Sequence, residues 1–259
     1  MTTIATTLRQ AASQYNKPRF IELDPIQFPH KYKNKRDIEI SAFITSWISF
    51  GSRSQIVKKA AEIDSFFNGS PYDYIKNGLF DCFKDDCGTF YRFLKGKDFY
   101  EVCKALQDVY SCFASLETLV VKNITNLDMT ILEALEQPFH KITGVPDPFA
   151  GSACKRLCMF LRWMVRRDKI VDFGIWEHIN PEALVIPLDT HVHKQALELG
   201  IISRKSPDMK AAQLITDYLK SVFPGDPTLG DFALFGLGID PAGDVAESFA
   251  AANSPAKLQ

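Results

Sequence analysis

Apolar residues recur at three- and four-residue spacing over residues 38–50, 53–67, 98–113, 127–136, 153–167, 190–199 and 208–222, the period of amphipathic helices. Glycine and proline gather between these stretches, at Gly69 to Pro71, Gly144 to Gly151, Pro181 and Pro224 to Pro227, and so mark connections. Two short apolar runs, Lys169 to Phe173 and Leu184 to Leu188, have the length of strands, but they stand isolated and predict no sizeable sheet. Several helix ends follow from single residues. Asp189 precedes a helical stretch and can accept the orphan N–H groups of its first turn. Gly200 suits the left-handed position that ends that helix. Ser206 or Pro207 opens the 208–222 helix, and Pro224 lies beyond its end. The pattern predicts an all-α chain of medium helices with short loops, without repeats or coiled coil.

The composition adds bounds to this picture. With 259 residues and 46% hydrophobic content, the chain holds enough apolar material for one large domain or two lobes. A net charge of −1 beside that content argues against disorder. The start of the chain carries no leader-like apolar run, and no stretch approaches the ~18–20 apolar residues of a membrane span, so a soluble cytoplasmic protein is expected. The six cysteines, at 82, 87, 103, 112, 154 and 158, form no C-x2-C pair. Cys154 and Cys158 share a helix face but lack a second ligand pair, so the cysteines read as buried thiols and no metal is expected. The near-neutral total hides a pattern. Residues 1–60 carry ten Lys/Arg against four Asp/Glu, residues 61–150 eight against fourteen, 151–210 ten against seven, and 226–259 one against five. The two basic segments either converge on one anionic ligand or form separate solvated faces.

The most informative segment runs from Gly151 to Arg167. Lys155, Arg162 and Arg166 fall within about 40° of one another on a helix, while Leu157, Phe160, Leu161 and Met164 occupy its other faces. The small-residue turn Gly151–Ala153 leaves backbone N–H groups free for a phosphate. On spacing alone, this is also what a surface helix with a basic stripe looks like. The weight comes from the next segment, Val185-Ile-Pro-Leu-Asp189-Thr-His191-Val.

That segment resembles the helix-hairpin-helix DNA glycosylases, in which an apolar-Asp-Thr/Val-His element opens a helix after a hairpin that, in bifunctional members, carries a lysine. Pro187-Leu-Asp189-Thr-His191-Val matches this element closely, and Gly151-Ser-Ala-Cys-Lys155 matches the hairpin more loosely. The spacing of 34 residues between Lys155 and Asp189 is longer than in the endonuclease III branch and more similar to the archaeal 8-oxoguanine glycosylase branch. Ser49-Phe-Gly-Ser52-Arg53 through Ala60 resembles the family's turn beside the DNA, which fills the gap left by an extruded base. The pattern through Phe232–Gly238 is similar to an uncharacterised bacterial family related to these glycosylases.

The resemblance implies two helical lobes around a DNA-binding cleft: residues 36–160 as a central lobe ending in the hairpin, and 1–35 with 161–259 as the second. It implies a monomer, associated with the nucleoid, that acts on double-stranded DNA carrying a lesion, with an oxidised purine favoured as the base removed. Lys155 and Asp189 would be catalytic. Gly151, Ser152, Arg156, Arg162, Arg166, Ser52, Arg53 and His191 would contact DNA, and Trp47 and Trp163 would line the base pocket. The chain departs from the family in having one glycine, Gly151, in the hairpin turn and Gly51 where the endonuclease III branch places glutamine. It also lacks the four-cysteine cluster, so no iron–sulfur cofactor is implied.

The chemistry asks for these residue types. A base is excised through a cation-like sugar after the nucleotide leaves the stack, and a carboxylate beside that sugar stabilises the charge in a dry cleft. A lysine attacks only as the neutral amine, which Arg156, Arg162 and the positive end of its helix all favour here. Each residue also has a plainer reading: Asp189 as a helix cap, Lys155 as a surface lysine, Arg53 as a loop arginine, His191 as a packing residue, and the tryptophans as core. His191 and His193 diverge by about 200° on a helix and cannot share a metal. The competing function is a nucleic-acid-binding protein that keeps the fold but breaks no bond. For the enzyme, Lys155 and Asp189 must face one another across a cleft.

Overall fold

The helix Lys35–Trp47 (called α3) is buried over every residue from Ile38 to Trp47, and the helix Lys155–Val165 (α9) from Leu157 to Val165. These two pack against each other at the centre of the molecule. Burial on all sides explains the weak two-faced pattern of α3. Its one buried acid, Glu39, accepts hydrogen bonds from the Tyr110 hydroxyl (2.8 Å), the Leu116 N–H (3.0 Å) and Trp176 Nε1 (2.7 Å). Such pairing is what makes a carboxyl tolerable at that depth.

The computed structural model describes residues 3–239 and is mostly helical. In chain order, α1 spans Ile4–Tyr15 and α2 Arg19–Leu23; after α3 come α4 (Arg53–Phe66), α5 (Pro71–Lys76), α6 (Gly96–Cys112), α7 (Leu116–Leu127) and α8 (Ile131–Glu136). After α9 follow α10 (Thr190–Glu198), α11 (Met209–Val222) and α12 (Leu229–Ile239). Six of the seven predicted helices form close to the predicted bounds. The seventh, 127–136, begins only at Ile131, because Asp128 ends α7 in the left-handed conformation (φ 52°) and Thr130 then caps α8. The pattern missed α1, α2, α5, α7 and α12. Neither strand expected at 169–173 or 184–188 forms. The N–H groups of Phe173, Gly174 and Trp176 instead return to the carbonyls of Trp163 and Met164, closing the end of α9. The Ile186 N–H goes to Thr216 Oγ1 (3.0 Å), which ties this extended segment to α11. The strand pairing among the described residues is a small hairpin, β1 (Thr89–Tyr91) and β2 (Leu94–Lys95).

The buried apolar residues form two clusters. The larger spans Ile26 to Leu184 and takes in Phe232; the smaller joins α1 to α10, α11 and α12. The expected boundary near residue 160 therefore does not follow the packing, because Leu161 to Leu184 and Ile26 belong with the central helices. Residues 240–259, included in the expected second lobe, lie outside the described residues. Cys103, Cys154 and Cys158 are buried thiols as expected, whereas Cys82, Cys87 and Cys112 are exposed. Among the described residues no helix is long and apolar enough to cross a membrane.

Helices α1 and α12 pack side by side, and Gly236 lies against Tyr15 at the end of α1. A side chain there would land on the ring of Tyr15. Gly236→Ala is expected to cost ~1–3 kcal/mol, read as a lower midpoint in denaturant unfolding; an unchanged midpoint would show that this contact yields freely.

Candidate active site

A cavity of about 410 Å³ opens where α9, α10, α12, the start of α4 and the segment after α2 meet, a size within the range of small-molecule sites. Its charged lining is Asp24, Arg53, Lys155, Arg162, Asp189 and Asp231, with His191 at one side. Its apolar walls come chiefly from Phe20, Met159, Phe232 and Phe235. Phe20 stands edge-on to Phe232 (ring centroids 5.1 Å apart) and to Phe235 (6.1 Å).

Lys155 is the first residue of α9, delivered by a turn in which two residues take left-handed backbone, Gly151 (φ 73°) and Cys154 (φ 48°). The second glycine of the expected hairpin is thus replaced by a cysteine that adopts the same region. Cys154 is held by full burial and by a hydrogen bond from its N–H to Ser152 Oγ (3.3 Å). Among the described residues no side chain caps the first turn of α9, so its N–H groups leave a positive end at Lys155. Among the described residues Lys155 makes no hydrogen bond or ion pair. Burial draws its amine below the ordinary 10.5, against the carboxylates of Asp189, Asp24 and Asp231 and with help from Arg156. Sequence reasoning named the charge of neighbouring arginines as the cause; burial comes first.

Asp189 is the N-cap of α10. Its Oδ1 accepts both the His191 and Val192 N–H groups at 2.9 Å. Its Oδ2 has no partner among the described residues and belongs to a residue that lines the cavity. One oxygen therefore fixes the carboxylate while the other stays open. Lys155 and Asp189, 34 positions apart in the chain, line one cavity together with Asp231, whose carboxyl feels the charge of both. Asp231, on α12, is ion-paired with Arg162. Burial pushes its carboxyl up to about 6, opposed by Arg162 and Lys155 and reinforced by Asp189 and Asp172.

The other predicted residues divide. Arg53 starts α4, lines the cavity and places its guanidinium 5.2 Å from the Phe235 ring centre; His191 is exposed on the same wall. Ser52 caps α4 through the Gln55 N–H and is exposed, as are Gly151 and Ser152 in the turn before α9; none of the three lines the cavity. Arg156 turns away: it donates to the Trp47 carbonyl (2.8 Å) and lies over the Phe50 ring (4.9 Å). The expected basic stripe of Arg162 and Arg166 is not a surface feature. Arg162 is 4% exposed and paired with Asp172 and Asp231; Arg166 is 1% exposed and paired with Asp168, Asp172 and Asp226. Guanidinium groups at such depth persist because carboxylates meet them there. Trp47 and Trp163 do not line the cavity. Both are core, Trp47 donating to the Thr143 carbonyl (3.0 Å) and Trp163 packed inside α9's buried face. Phenylalanines from the ends of the chain take their place.

Sequence reasoning missed Asp24, Asp231, Phe20 and Phe235. Asp231 left a signal, since it is the one charged residue in the apolar run Leu229–Gly238, and a lone acid in a buried helix needs a partner. Asp24 precedes Pro25 and caps a short 3₁₀ turn through the Ile26 N–H, which reads as a simple turn. Among the described residues no group of His, Cys, Asp and Glu has the arrangement of a metal site.

The family model described as "Protein of unknown function (DUF2400)" matches residues 24–240. No curated protein and no solved structure matches the chain.

Proposed function

The chain belongs to the DUF2400 family, and from its cavity we propose that it is a DNA glycosylase with lyase activity at abasic sites, receiving an extruded damaged base. One observation carries this reading. An amine without a protein partner, drawn toward its neutral form, shares a cavity with a carboxylate that spends one oxygen on its helix and keeps the other open. In this reading the two apolar clusters are the lobes of a DNA cleft, and the protein acts as a monomer at the nucleoid.

The steps follow from the residue chemistry. The target nucleotide leaves the stack so that its sugar reaches Lys155. Asp189 Oδ2 stabilises positive charge on the sugar as the glycosidic bond breaks. The Lys155 nitrogen bonds to the sugar's C1′, and the base departs with the bonding electrons and takes a proton from water. Loss of the amine proton and opening of the sugar ring give an imine. Abstraction of a C2′ proton then expels the 3′ phosphate and cleaves the strand. With Arg156, Arg162 and Arg166 engaged inside the protein, the DNA backbone is held by Ser52, Arg53 and His191 and by the N–H groups from Gly151 into α9.

Duplexes bearing single lesions, or a preformed abasic site, incubated with the protein and sodium borohydride test this. A trapped adduct is expected, and absence of adduct from every substrate removes the proposal. Asp189→Asn is expected to slow turnover ~10²–10³-fold with binding and Tm retained, since asparagine caps a helix as well as aspartate. Unaltered turnover would take the carboxylate out of the mechanism. The alternative is a nucleic-acid-binding protein that keeps the fold and breaks no bond. It would show salt-dependent DNA affinity without any adduct.

A further inference from the structure

Resting on that reading, we infer that Asp231 is the base of the strand-cleaving step, the group that takes the C2′ proton once Lys155 holds the sugar as an imine. Besides Lys155, the proton acceptors lining the cavity among the described residues are Asp24, Asp189, His191 and Asp231. His191 is exposed, and Asp189 has its open oxygen at the charge on C1′ in the proposed reaction. Asp24 is half-buried, and the charges it feels are chiefly those of Arg162, Arg53 and Lys155. Asp231 feels both Lys155 and Asp189, so it stands beside the pair that would hold the sugar.

The fold prepares this carboxylate. Asp231 lies in the first turn of α12, 6% exposed, with Oδ2 fixed by Arg162 Nη1. Asp172 braces Arg162 from the other side and is itself held by Arg166. A pair built only to neutralise Arg162 would gain from a two-pronged fork. Here Oδ1 makes no hydrogen bond among the described residues, and the residue lines the cavity. Burial pushes the carboxyl up to about 6, which suits a base working near neutral pH. The groups that set this value are Arg162 and Lys155 on α9, Asp172 beyond it and Asp189 at the start of α10. His191, Asp24 and Arg53 share the cavity, and Arg9 of α1 is engaged by the Val222 carbonyl.

In the step itself the C2′–H bond breaks and its proton passes to Asp231 Oδ1. The pair left behind forms a C1′=C2′ bond while the imine pair moves onto the Lys155 nitrogen. That pair then returns, a C2′=C3′ bond forms, and the 3′ phosphate leaves with the electrons of the C3′–O bond.

The test uses single turnovers on duplexes carrying a preformed abasic site. Borohydride quenching counts imine, strand scission counts cleavage, and the readout is the rate from imine to cleaved strand. In Asp231→Asn that rate is expected to fall ~10²–10⁴-fold. Imine should form as fast or faster, because the lost carboxylate was raising the Lys155 amine, so uncleaved adduct accumulates. In the wild type the same rate should rise with pH through an ionisation at about 6. The asparagine variant should lose that rise, and Asp231→Glu, which keeps a carboxylate opposite Arg162, should retain it. Unchanged cleavage per imine in Asp231→Asn, or imine and cleavage falling together, would overturn the inference. So would a wild-type profile flat through that ionisation, a measurement that needs no variant to fold. If the wild type forms no imine at all, it is the lyase reading that fails.

Discussion

Lys155→Met is expected to abolish the borohydride-trapped adduct, with lyase turnover falling by at least ~10³-fold, while the protein stays folded. The loss follows from chemistry, because among the described residues no other amine lines the cavity and a thioether cannot form an imine. The retained fold follows from the contacts. Lys155 makes no hydrogen bond or ion pair among the described residues, and its burial disfavours the charged form. Methionine keeps the length and removes a charge that the surroundings resist. The sign of the pH effect can be worked out. Between the lowered value and 10.5 the unfolded chain binds a proton that the folded chain has released. This lysine's contribution to stability therefore rises with pH through that window, and Lys155→Met removes the rise. The same shift governs rate: wild-type adduct formation should increase with pH through an ionisation below 10.5. Adduct formation by Lys155→Met at the wild-type rate would transfer the nucleophile to another residue. A large drop in Tm would make Lys155 a structural group.

Arg166→Ala is expected to cost ~3–5 kcal/mol of stability, a fall in Tm of roughly 10 °C for a chain of this size. Arg166 is 1% exposed and holds Asp168, Asp172 and Asp226 together from the end of α9. Burial would lower its guanidinium, but the carboxylates outweigh burial and hold it above its ordinary range. Without it, Asp172 at 1% exposure keeps only the longer contact to Arg162 (3.3 Å), leaving buried negative charge uncompensated. The salt dependence of DNA binding separates this structural role from a phosphate contact. A phosphate contact would reduce the slope of log affinity against log salt by about one; Arg166→Ala should leave the slope unchanged. A reduced slope with an unchanged Tm would return Arg166 to the DNA surface.

This arginine shows what one-dimensional reasoning lacks. Periodicity placed Lys155, Arg162 and Arg166 on one helix face; the helix over 155–165 holds Lys155 and Arg162, and Arg166 follows its last turn in extended backbone. Whether that face meets solvent or protein depends on what packs against it, and the partners Asp226 and Asp231 lie 60 and 69 positions away. The tryptophans failed for the same reason: an aromatic ring signals burial, and the sequence does not say whether against ligand or core. The helix α12 escaped because it is apolar nearly all round and has no period to read.

The chain alone determined whatever neighbours in sequence decide. The long helices follow from their spacing, the capping of α10 by Asp189 from a side chain that reaches two N–H groups of the next turn, and the entry to α9 from a turn of small residues. Tertiary structure decided everything that depends on distant partners. It brought Asp24 and Asp231 from opposite ends of the described chain to Lys155 and Asp189, and turned a basic stripe into a buried ion-pair network. It also set the amine of Lys155 in surroundings that favour its neutral form. Hydrogen bonds of a helix cap act within one turn of chain, whereas burial and charge coupling act through space, and only the folded arrangement fixes which groups are near.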